Sequence, residues 1–146
     1  MNIEEMLQKG EKIVEIYYPS RWIYLKYYLI GIILLLLPFP IAFRAIGIIP
    51  ILIAELLKRG NRYIITTERV IHEYTFLSRS IRTAPYSQIQ DIHLTQSFAE
   101  RLVGIGTINI NTAGGPEMEV IFKGVKKPLQ VKKLIEEKRI KHQKRK

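Results

Sequence analysis

The polarity pattern divides the chain into a long apolar stretch, a series of short alternating segments and a charged end. The run from Trp22 to Leu57 is almost wholly apolar, and Arg44 is the only charge near its centre. A single membrane-spanning helix needs about 20 apolar residues, so this run is too long for one span. Pro38 and Pro40 lie near its middle and disfavour helix there. The pattern therefore indicates two apolar arms joined by a turn.

These arms predict a helical hairpin at residues 22–57, with helices at Trp22–Leu37 and Ile41–Leu57 and a kink at Pro50. Each arm would rise roughly 25 Å, somewhat less than the ~30 Å hydrocarbon core of a bilayer. Aromatic and basic residues at its flanks are typical of membrane interfaces and could complete the span: Trp22, Tyr24, Lys26, Tyr27, Tyr28, Arg44 and Lys58. We therefore expect a transmembrane hairpin. Two other interpretations stay open, a hairpin buried in a folded core and a re-entrant hairpin that enters a bilayer without crossing it.

Basic residues next to the arms give the expected orientation. Arg21 and Lys26 precede or open the first arm, and Lys58, Arg59 and Arg62 follow the second. Because such residues favour the cytoplasmic side, we expect a two-span protein of the cell membrane with both termini in the cytoplasm.

After residue 62 the pattern changes to short runs with the period of two that is typical of half-buried strands. Ile108, Ile110 and Thr112 alternate with polar residues, and so do Val120 and Phe122 together with Met118. The Ala113-Gly114-Gly115-Pro116 segment between these runs predicts a hairpin turn. Further strands are predicted at 63–66, 69–76, 77–83 and around Ile92 and Leu94, with a short helical turn at 98–103.

A helix is predicted after the last strand, because Pro128 suits a first helical turn and Val131, Leu134 and Ile135 form one apolar stripe. Such a helix suits a cap over the open end of a small barrel or bent sandwich. The run at 12–18 is strand-like and could join the sheet. The predicted division is a leader at 1–21, the hairpin at 22–57, a barrel domain at 62–137 and a basic tail at 138–146.

Charge changes this picture only at the end of the chain. The formal net charge is +10, and the segment from Lys126 to Lys146 holds ten basic and two acidic residues. The basic character therefore belongs to the tail and not to the predicted fold. Basic residues beside an anionic leaflet contribute roughly 1 kcal/mol each.

Candidate chemistry is sparse. The chain has no cysteine, Asp91 is its only aspartate, and its three histidines lack metal-ligand spacing. Asp91 and His93 share one face of a strand, which fits either a solvated polar face or a ligand-binding or proton-transfer pair. We expect no enzyme activity, no catalytic residues, no cofactor and no metal.

Three segments in this order resemble the bacterial pleckstrin-homology-like (PH-like) family of small membrane proteins: YIITTERVI, LSRSIRTAPYSQIQDI and TQSFAERLVGIGTININTAGG. The matching positions are Thr66, Glu68, Arg69, Leu77, Arg79, Pro85, Ile89, Gln96, Arg101, Leu102, Gly104, Gly106, Thr107 and Thr112 to Gly115. The leader also fits at Gly10, Glu11, Pro19 and Ser20. The chain departs from the family at Glu73–Phe76, where members often have a glycine in the turn.

The resemblance implies an α+β membrane protein, with a two-helix transmembrane hairpin followed by a small antiparallel PH-like barrel capped by a C-terminal helix. It implies no catalytic residues. The expected function is a membrane-anchored, non-enzymatic adaptor or assembly module on the cytoplasmic face. The alternative is a sensor of anionic lipid surfaces that uses strand arginines and the basic tail.

The expected partners are the lipid bilayer, anionic lipid head groups and a protein that the sequence does not name. Nucleic acid is not expected, because the segment from Lys126 to Lys146 has no aromatic residue to stack on bases. The candidate residues for lipid or partner contact are all basic: Arg69, Arg79, Arg82, Lys132, Lys133, Lys138, Arg139 and Lys141.

Overall fold

The structure is a computed structural model that describes residues 6–38, 40, 45–76, 78–114 and 120–144. The described strands are β1 (Ile13–Tyr17), β2 (Asn61–Thr66), β3 (Arg69–Thr75), β4 (Arg79–Pro85), β5 (Ile89–Thr95), β6 (Ile105–Thr112) and β7 (Val120–Lys126). The described helices are α1 (Leu25–Leu36), α2 (Ile48–Gly60), α3 (Phe98–Leu102) and α4 (Pro128–Gln143). Short 3₁₀ turns precede α1 at Arg21–Tyr24 and α2 at Ala45–Gly47.

The strands form two antiparallel sheets, ordered β1-β2-β3-β4 and β5-β6-β7. The main core lies between them and includes the buried aromatic residues Tyr63 and Phe122, whose rings stack with centroids 4.7 Å apart. The predicted alternation in β6 is confirmed, since Ile108, Ile110 and Thr112 are all buried. β1 lies within the strand-like run at 12–18 and pairs with β2.

In the second strand of the predicted β-hairpin, Val120 and Phe122 are buried as expected. Met118 and the Gly115-Pro116 half of the turn lie outside the described residues.

The helix α4 covers one opening between the sheets. Val131 and Ile135 are buried in the core, and the chain enters the helix through Lys127, which has a positive φ of 50°. Pro128 is the first helical residue, as the sequence predicts. The helix continues to Gln143, so the boundary predicted at residue 138 falls inside it.

The apolar run does form a helical hairpin, in which α1 packs against α2. The contact is close because two glycines face each other: a Cβ built on Gly31 would lie 2.7 Å from the Gly47 carbonyl oxygen. The same Cβ would lie 2.6 Å from Ile51 Cγ1. Glycine at these positions therefore allows the two arms of one chain to pack together.

The transmembrane part of the predicted fold class is wrong. The helices have 12 and 13 residues, which at about 1.5 Å per residue span only about 18–20 Å. Within the described residues, none of the helices combines the length and the apolarity that crossing a bilayer requires. The expected location, a two-span protein of the cell membrane with cytoplasmic termini, is wrong for the same reason.

The physical reason is that an apolar arm need not be α-helical along its whole length. The first helix ends before Pro38, and the second begins only at Ile48, after a 3₁₀ turn. Pro50 lies in the first turn of α2, where proline is tolerated, and not in a helix interior, where the sequence predicts a kink. Phe39 and residues 41–44, which include Arg44, lie outside the described residues.

The strand β2 defines two ends of the sheet domain. It begins at Asn61, directly after Gly60 ends α2, and its other end, Thr66, leads into the turn at Glu68. The first and last of these six strand residues are about 17 Å apart. We call these two ends the hairpin end and the far end. The end of α4 lies at the far end, because His142 Nδ1 is 3.1 Å from Glu68 Oε2.

Candidate functional site

A cavity of about 510 Å³ lies at the hairpin end, where the start of α1 meets both sheets. We call it the hairpin-base pocket. It is lined by Ile23, Tyr24, Lys26, Tyr27, Asn61, Tyr63, His72, Tyr74, Ser80, Arg82, Ile121 and Lys123.

The register of three strands builds most of its wall. Tyr63 on β2 pairs with His72 on β3, and His72 in turn pairs with Arg82 on β4. The neighbouring row is Asn61, Tyr74 and Ser80. Because cross-strand partners point to the same side of a sheet, these two rows place six polar or aromatic side chains side by side.

His72 is held in a defined hydrogen-bonding state. Asn61 Nδ2 donates to the Leu57 carbonyl at 2.8 Å, so Asn61 Oδ1 accepts from His72 Nε2 at 2.9 Å. Burial, together with the positive charges of Arg82 and Lys123, lowers the pKa of His72 from 6.5 to about 4. The imidazole is therefore neutral at pH 7, and the pocket has a positive potential.

The hairpin above this pocket exposes a large apolar surface. Of the 21 large hydrophobic side chains that the described residues expose, 12 lie between Leu25 and Leu56. Leu36 is 77% exposed and Ile33 is 56% exposed. Single exposed hydrophobic residues are ordinary, but a contiguous apolar patch marks an interaction surface.

The base of the hairpin is amphipathic. A second cavity of about 530 Å³ includes Trp22, Arg21, Lys58 and Lys126 in its lining. Arg21 and Lys58 lie 3.6 and 3.7 Å from the Glu55 carboxylate. Aromatic and basic residues therefore surround the point where the apolar helices leave the sheet domain.

The short helix α3 extends the apolar surface. It begins with a capping box between Ser97 and Glu100. Phe98 and Leu102 are 79% and 73% exposed. Leu102 also lines a small cavity with Trp22 and Leu25, so α3 lies beside the hairpin base.

Arg69 and Arg79 bind carboxylates of the chain itself. Arg69 Nε and Nη2 donate to Glu11 at 3.0 Å, and the Glu11 side chain is fully buried. Arg79 Nη2 lies 3.0 Å from the buried Glu73. Arg82 lines the hairpin-base pocket. The structure therefore places the three predicted arginines in three different surroundings.

The five predicted basic residues of α4 lie away from this pocket. Lys132 and Lys141 pair with Glu136 and Glu137 one turn away, and Arg139 Nη2 donates to the Gln90 carbonyl at 3.3 Å. Lys133 is exposed and Lys138 is half-buried. Lys138, Arg139 and Lys141 belong to the end of the helix that lies at the far end.

Asp91 and His93 form an exposed pair, with Oδ2 and Nε2 2.8 Å apart and both side chains more than half exposed. This fits the solvated polar face better than a proton-transfer pair in a closed site. Among the described residues, no cluster of three or more His, Asp or Glu side chains could hold a metal ion.

Sequence reasoning missed most of the hairpin-base pocket. Lys26, Tyr24 and Tyr27 stand out as interface residues, but His72, Tyr74, Ser80 and Lys123 have no local signature. The strand register alone brings His72 beside Arg82. A correct prediction of the turns on either side of β3 could have identified that pair.

A comparison with protein families and solved structures agrees with this fold. The model of the bacterial PH domain family matches residues 20–139. A DUF1696 family protein with a pleckstrin-homology domain from Shewanella loihica PV-4 is 11% identical, with a TM-score of 0.51 over 92% of this chain and 87% of that one. A pleckstrin homology domain from Shewanella amazonensis SB2B is 11% identical, with a TM-score of 0.50 over 94% of this chain and 92% of that one. The comparison with curated proteins finds no match.

The chain belongs to the bacterial PH domain family, because the family model covers most of its length. This confirms the PH-like part of the resemblance, while the transmembrane hairpin is not supported. PH-like domains are typically binding modules and not catalysts. At 11% identity the two solved structures define the fold alone.

Proposed function

We propose that this chain is a lipid-surface binding module. Its helical hairpin inserts into a bilayer from one side and does not cross the bilayer. The observation that carries the proposal is the broad outer face of exposed apolar side chains on α1 and α2. The short helices favour partial insertion, because about 18–20 Å of helix reaches well into a hydrocarbon core of ~30 Å but does not traverse it.

The distribution of exposed side chains favours lipid over a protein groove. At 100° per residue, the exposed residues of α1 from Leu25 to Leu36 cover an arc of about 160°, and the rest of the helix packs on α2. A protein groove typically takes one apolar stripe of a helix. Lipid chains can cover the whole outer arc of both helices at once.

The flanking residues fit the same proposal. Trp22 and Tyr27 lie at the hairpin base with the basic residues Arg21, Lys26 and Lys58. Aromatic rings with a polar edge favour the head-group region, and long basic side chains reach phosphates while their stems stay apolar. This belt would set the depth to which the hairpin enters.

Vesicle flotation with a matched pair of substitutions tests the proposal. The full chain is expected to float with phosphatidylcholine vesicles, and Ile33→Asp is expected to weaken this binding at least tenfold, because a carboxylate would enter hydrocarbon. Ile140→Asp is the control, since Ile140 is 51% exposed but lies on α4. Equal binding by the Ile33→Asp chain, or equal loss with the control, would show that the hairpin is not the lipid contact.

We propose an adaptor role for the far end as the second function. The observation that favours it is that β2, about 17 Å long, separates the hairpin end from the far end, where α4 ends beside Glu68. Lys138, Arg139 and Lys141 would then face away from the bilayer that holds the hairpin, where an acidic protein surface can reach them. This geometry supports the adaptor over the sensor in which the tail and the hairpin touch one surface.

Neutralising basic residues on α4 distinguishes the adaptor from the anionic-lipid sensor. Removing α4 would expose the core that Val131 and Ile135 fill, so substitutions are preferable to truncation. The adaptor predicts that Lys138→Gln with Lys141→Gln leaves flotation with anionic vesicles unchanged. A large salt-dependent loss of flotation would instead support the anionic-lipid sensor.

A further inference from the structure

We propose that Glu55 on α2 limits the depth to which the hairpin enters a bilayer, because its carboxylate stays in the head-group region. This inference rests on the proposed lipid contact and adds to it a positioning residue. The described part of the hairpin beyond Glu55 would lie in hydrocarbon. The sheet domain and the base of the hairpin would stay among the head groups or in water.

Glu55 lies where the polar base of the hairpin meets its apolar part. Tyr28 Oη donates to Glu55 Oε1 at 2.9 Å, and this bond links α1 to α2. Arg21 Nε and Lys58 Nζ lie 3.6 and 3.7 Å from the carboxylate oxygens. The hydrogen bond from Tyr28 and the nearby basic side chains hold the pKa of Glu55 below its ordinary value, so the carboxylate is ionised at pH 7.

The part of the hairpin beyond this carboxylate is uniformly apolar. Residues 29–38 of the first arm and 45–54 of the second have no charged side chain and no side chain that forms hydrogen bonds. The α-helical parts of these ranges, residues 29–36 and 48–54, are about 12 and 10 Å long. Each is shorter than half of a ~30 Å hydrocarbon core, so the apolar part of both helices fits within one leaflet.

Glu55 defines this depth more sharply than the basic residues beside it. Long Lys and Arg side chains can reach the head groups from several depths, because their apolar stems can stay in hydrocarbon. A glutamate side chain is shorter, and the hydrogen bond from Tyr28 holds it in place. Because a charge in the hydrocarbon core is strongly unfavourable, we expect the hairpin to stop where Glu55 meets the head groups.

The fluorescence of Trp22 measures this depth, because Trp22 is the only tryptophan in the chain and is 52% exposed at the hairpin base. The full chain is bound to phosphatidylcholine vesicles whose lipids carry bromine, a quencher, at a chosen position of the acyl chain. Glu55→Gln keeps an acceptor for Tyr28 but removes the charge. It is expected to deepen Trp22 and to raise quenching by bromine near the end of the acyl chain about twofold.

Two matched variants separate the charge of Glu55 from its packing. Glu55→Asp keeps the carboxylate and is expected to leave the depth of Trp22 unchanged. Glu137→Gln removes the same charge from the exposed face of α4 and is expected to leave it unchanged as well. If Glu55→Asp deepens Trp22 as much as Glu55→Gln does, lost packing explains the shift and the proposal is overturned.

Vesicle flotation and Trp22 quenching distinguish this inference from the function on which it rests. Flotation measures whether the chain binds, and quenching measures how far the bound chain enters. If the chain floats but Glu55→Gln leaves the depth of Trp22 unchanged, or Glu137→Gln shifts it equally, Glu55 does not limit the depth and the lipid contact stands. A chain that does not float overturns both proposals.

Discussion

The sheet core and the helical hairpin use the same apolar residue types in opposite ways. Ile108 and Ile110 are fully buried between the sheets, whereas Ile33 and Leu36 on α1 are more than half exposed. Burial stabilises the first region relative to the unfolded chain, at about 25 cal/mol per Å² of apolar surface. The exposed apolar surface of the hairpin contributes no comparable stabilisation until a lipid or another molecule covers it. Apolar content alone therefore does not distinguish a core from a binding surface.

The greatest loss of stability is expected from a substitution at the centre of the core. Phe122→Ala is expected to destabilise the fold by about 3–5 kcal/mol, because it removes a fully buried ring that stacks on Tyr63. Leu36→Ala is the matched change on the hairpin and is expected to alter the free energy of unfolding by less than about 0.5 kcal/mol. Urea denaturation followed by circular dichroism measures both. A comparable loss for Leu36→Ala would mean that the hairpin belongs to the core.

The order of the elements could be predicted from the sequence, since the period of two in β6 and the stripe on α4 both derive from local sequence. The lengths of the hairpin helices could not, because the apolar run does not show that each helix begins only after a 3₁₀ turn, at Arg21–Tyr24 and at Ala45–Gly47. The hairpin-base pocket could not either. His72 and Arg82 are ten positions apart, and only the register of β3 on β4 makes them neighbours.

The next effect concerns the far end, where a buried carboxylate fixes the leader to the sheet. Glu11 accepts from Arg69 and from Thr66 Oγ1, with the latter bond at 2.6 Å. Glu11→Gln is expected to destabilise the fold by about 3 kcal/mol, because Arg69 would lose its partner in a mostly buried position. Glu137→Gln on the exposed face of α4 is the control and is expected to leave stability unchanged.

The pH dependence of this site has a defined sign. Burial raises the pKa of Glu11, but hydrogen bonds from the Gln8 amide, Thr66 and Arg69, with the Arg69 charge, lower it below 4.5 overall. A lowered carboxyl pKa stabilises the fold above about 4.5, and this contribution is lost as the pH falls through the folded-state pKa. Between pH 5 and pH 3, the free energy of unfolding should therefore change less steeply with pH in the Glu11→Gln chain than in the unaltered chain. Identical slopes would contradict the ion pair.

The hairpin end should respond to pH in a different window. The pKa of His72 is about 4 in the fold and 6.5 without its surroundings, so the unfolded chain binds more protons between these values. Stability should fall as the pH is lowered from 6.5 to about 4, a window that begins above the one between pH 5 and pH 3 used for Glu11 and overlaps it only at its acid end. His72→Gln is expected to flatten this part of the profile and to leave the acid limb unchanged. If the His72→Gln chain and the unaltered chain show the same dependence of stability on pH between 6.5 and 4, then His72 is not protected from protonation in the fold.

The last prediction concerns where the lipid-contacting surface of the hairpin ends, and its expected change in vesicle binding is modest. Phe98 and Leu102 lie on α3, beside Trp22 and Leu25 at the hairpin base. If the bilayer reaches α3, Phe98→Ala with Leu102→Ala should weaken vesicle binding about tenfold, because each side chain loses apolar surface that lipid would cover. Both residues are more than 70% exposed, so the free energy of unfolding without lipid should stay within about 0.5 kcal/mol.

Leu129→Ala on α4 is the control for this last change, since Leu129 is also exposed, at 56%. Unchanged vesicle binding by the α3 variant would restrict the lipid contact to α1 and α2. A loss of stability without lipid would instead place Phe98 and Leu102 with the core, and the boundary between the two regions would then lie between α3 and the hairpin. A tenfold loss in binding alone would place α3 on the hairpin side of that boundary, although it folds as part of the sheet domain.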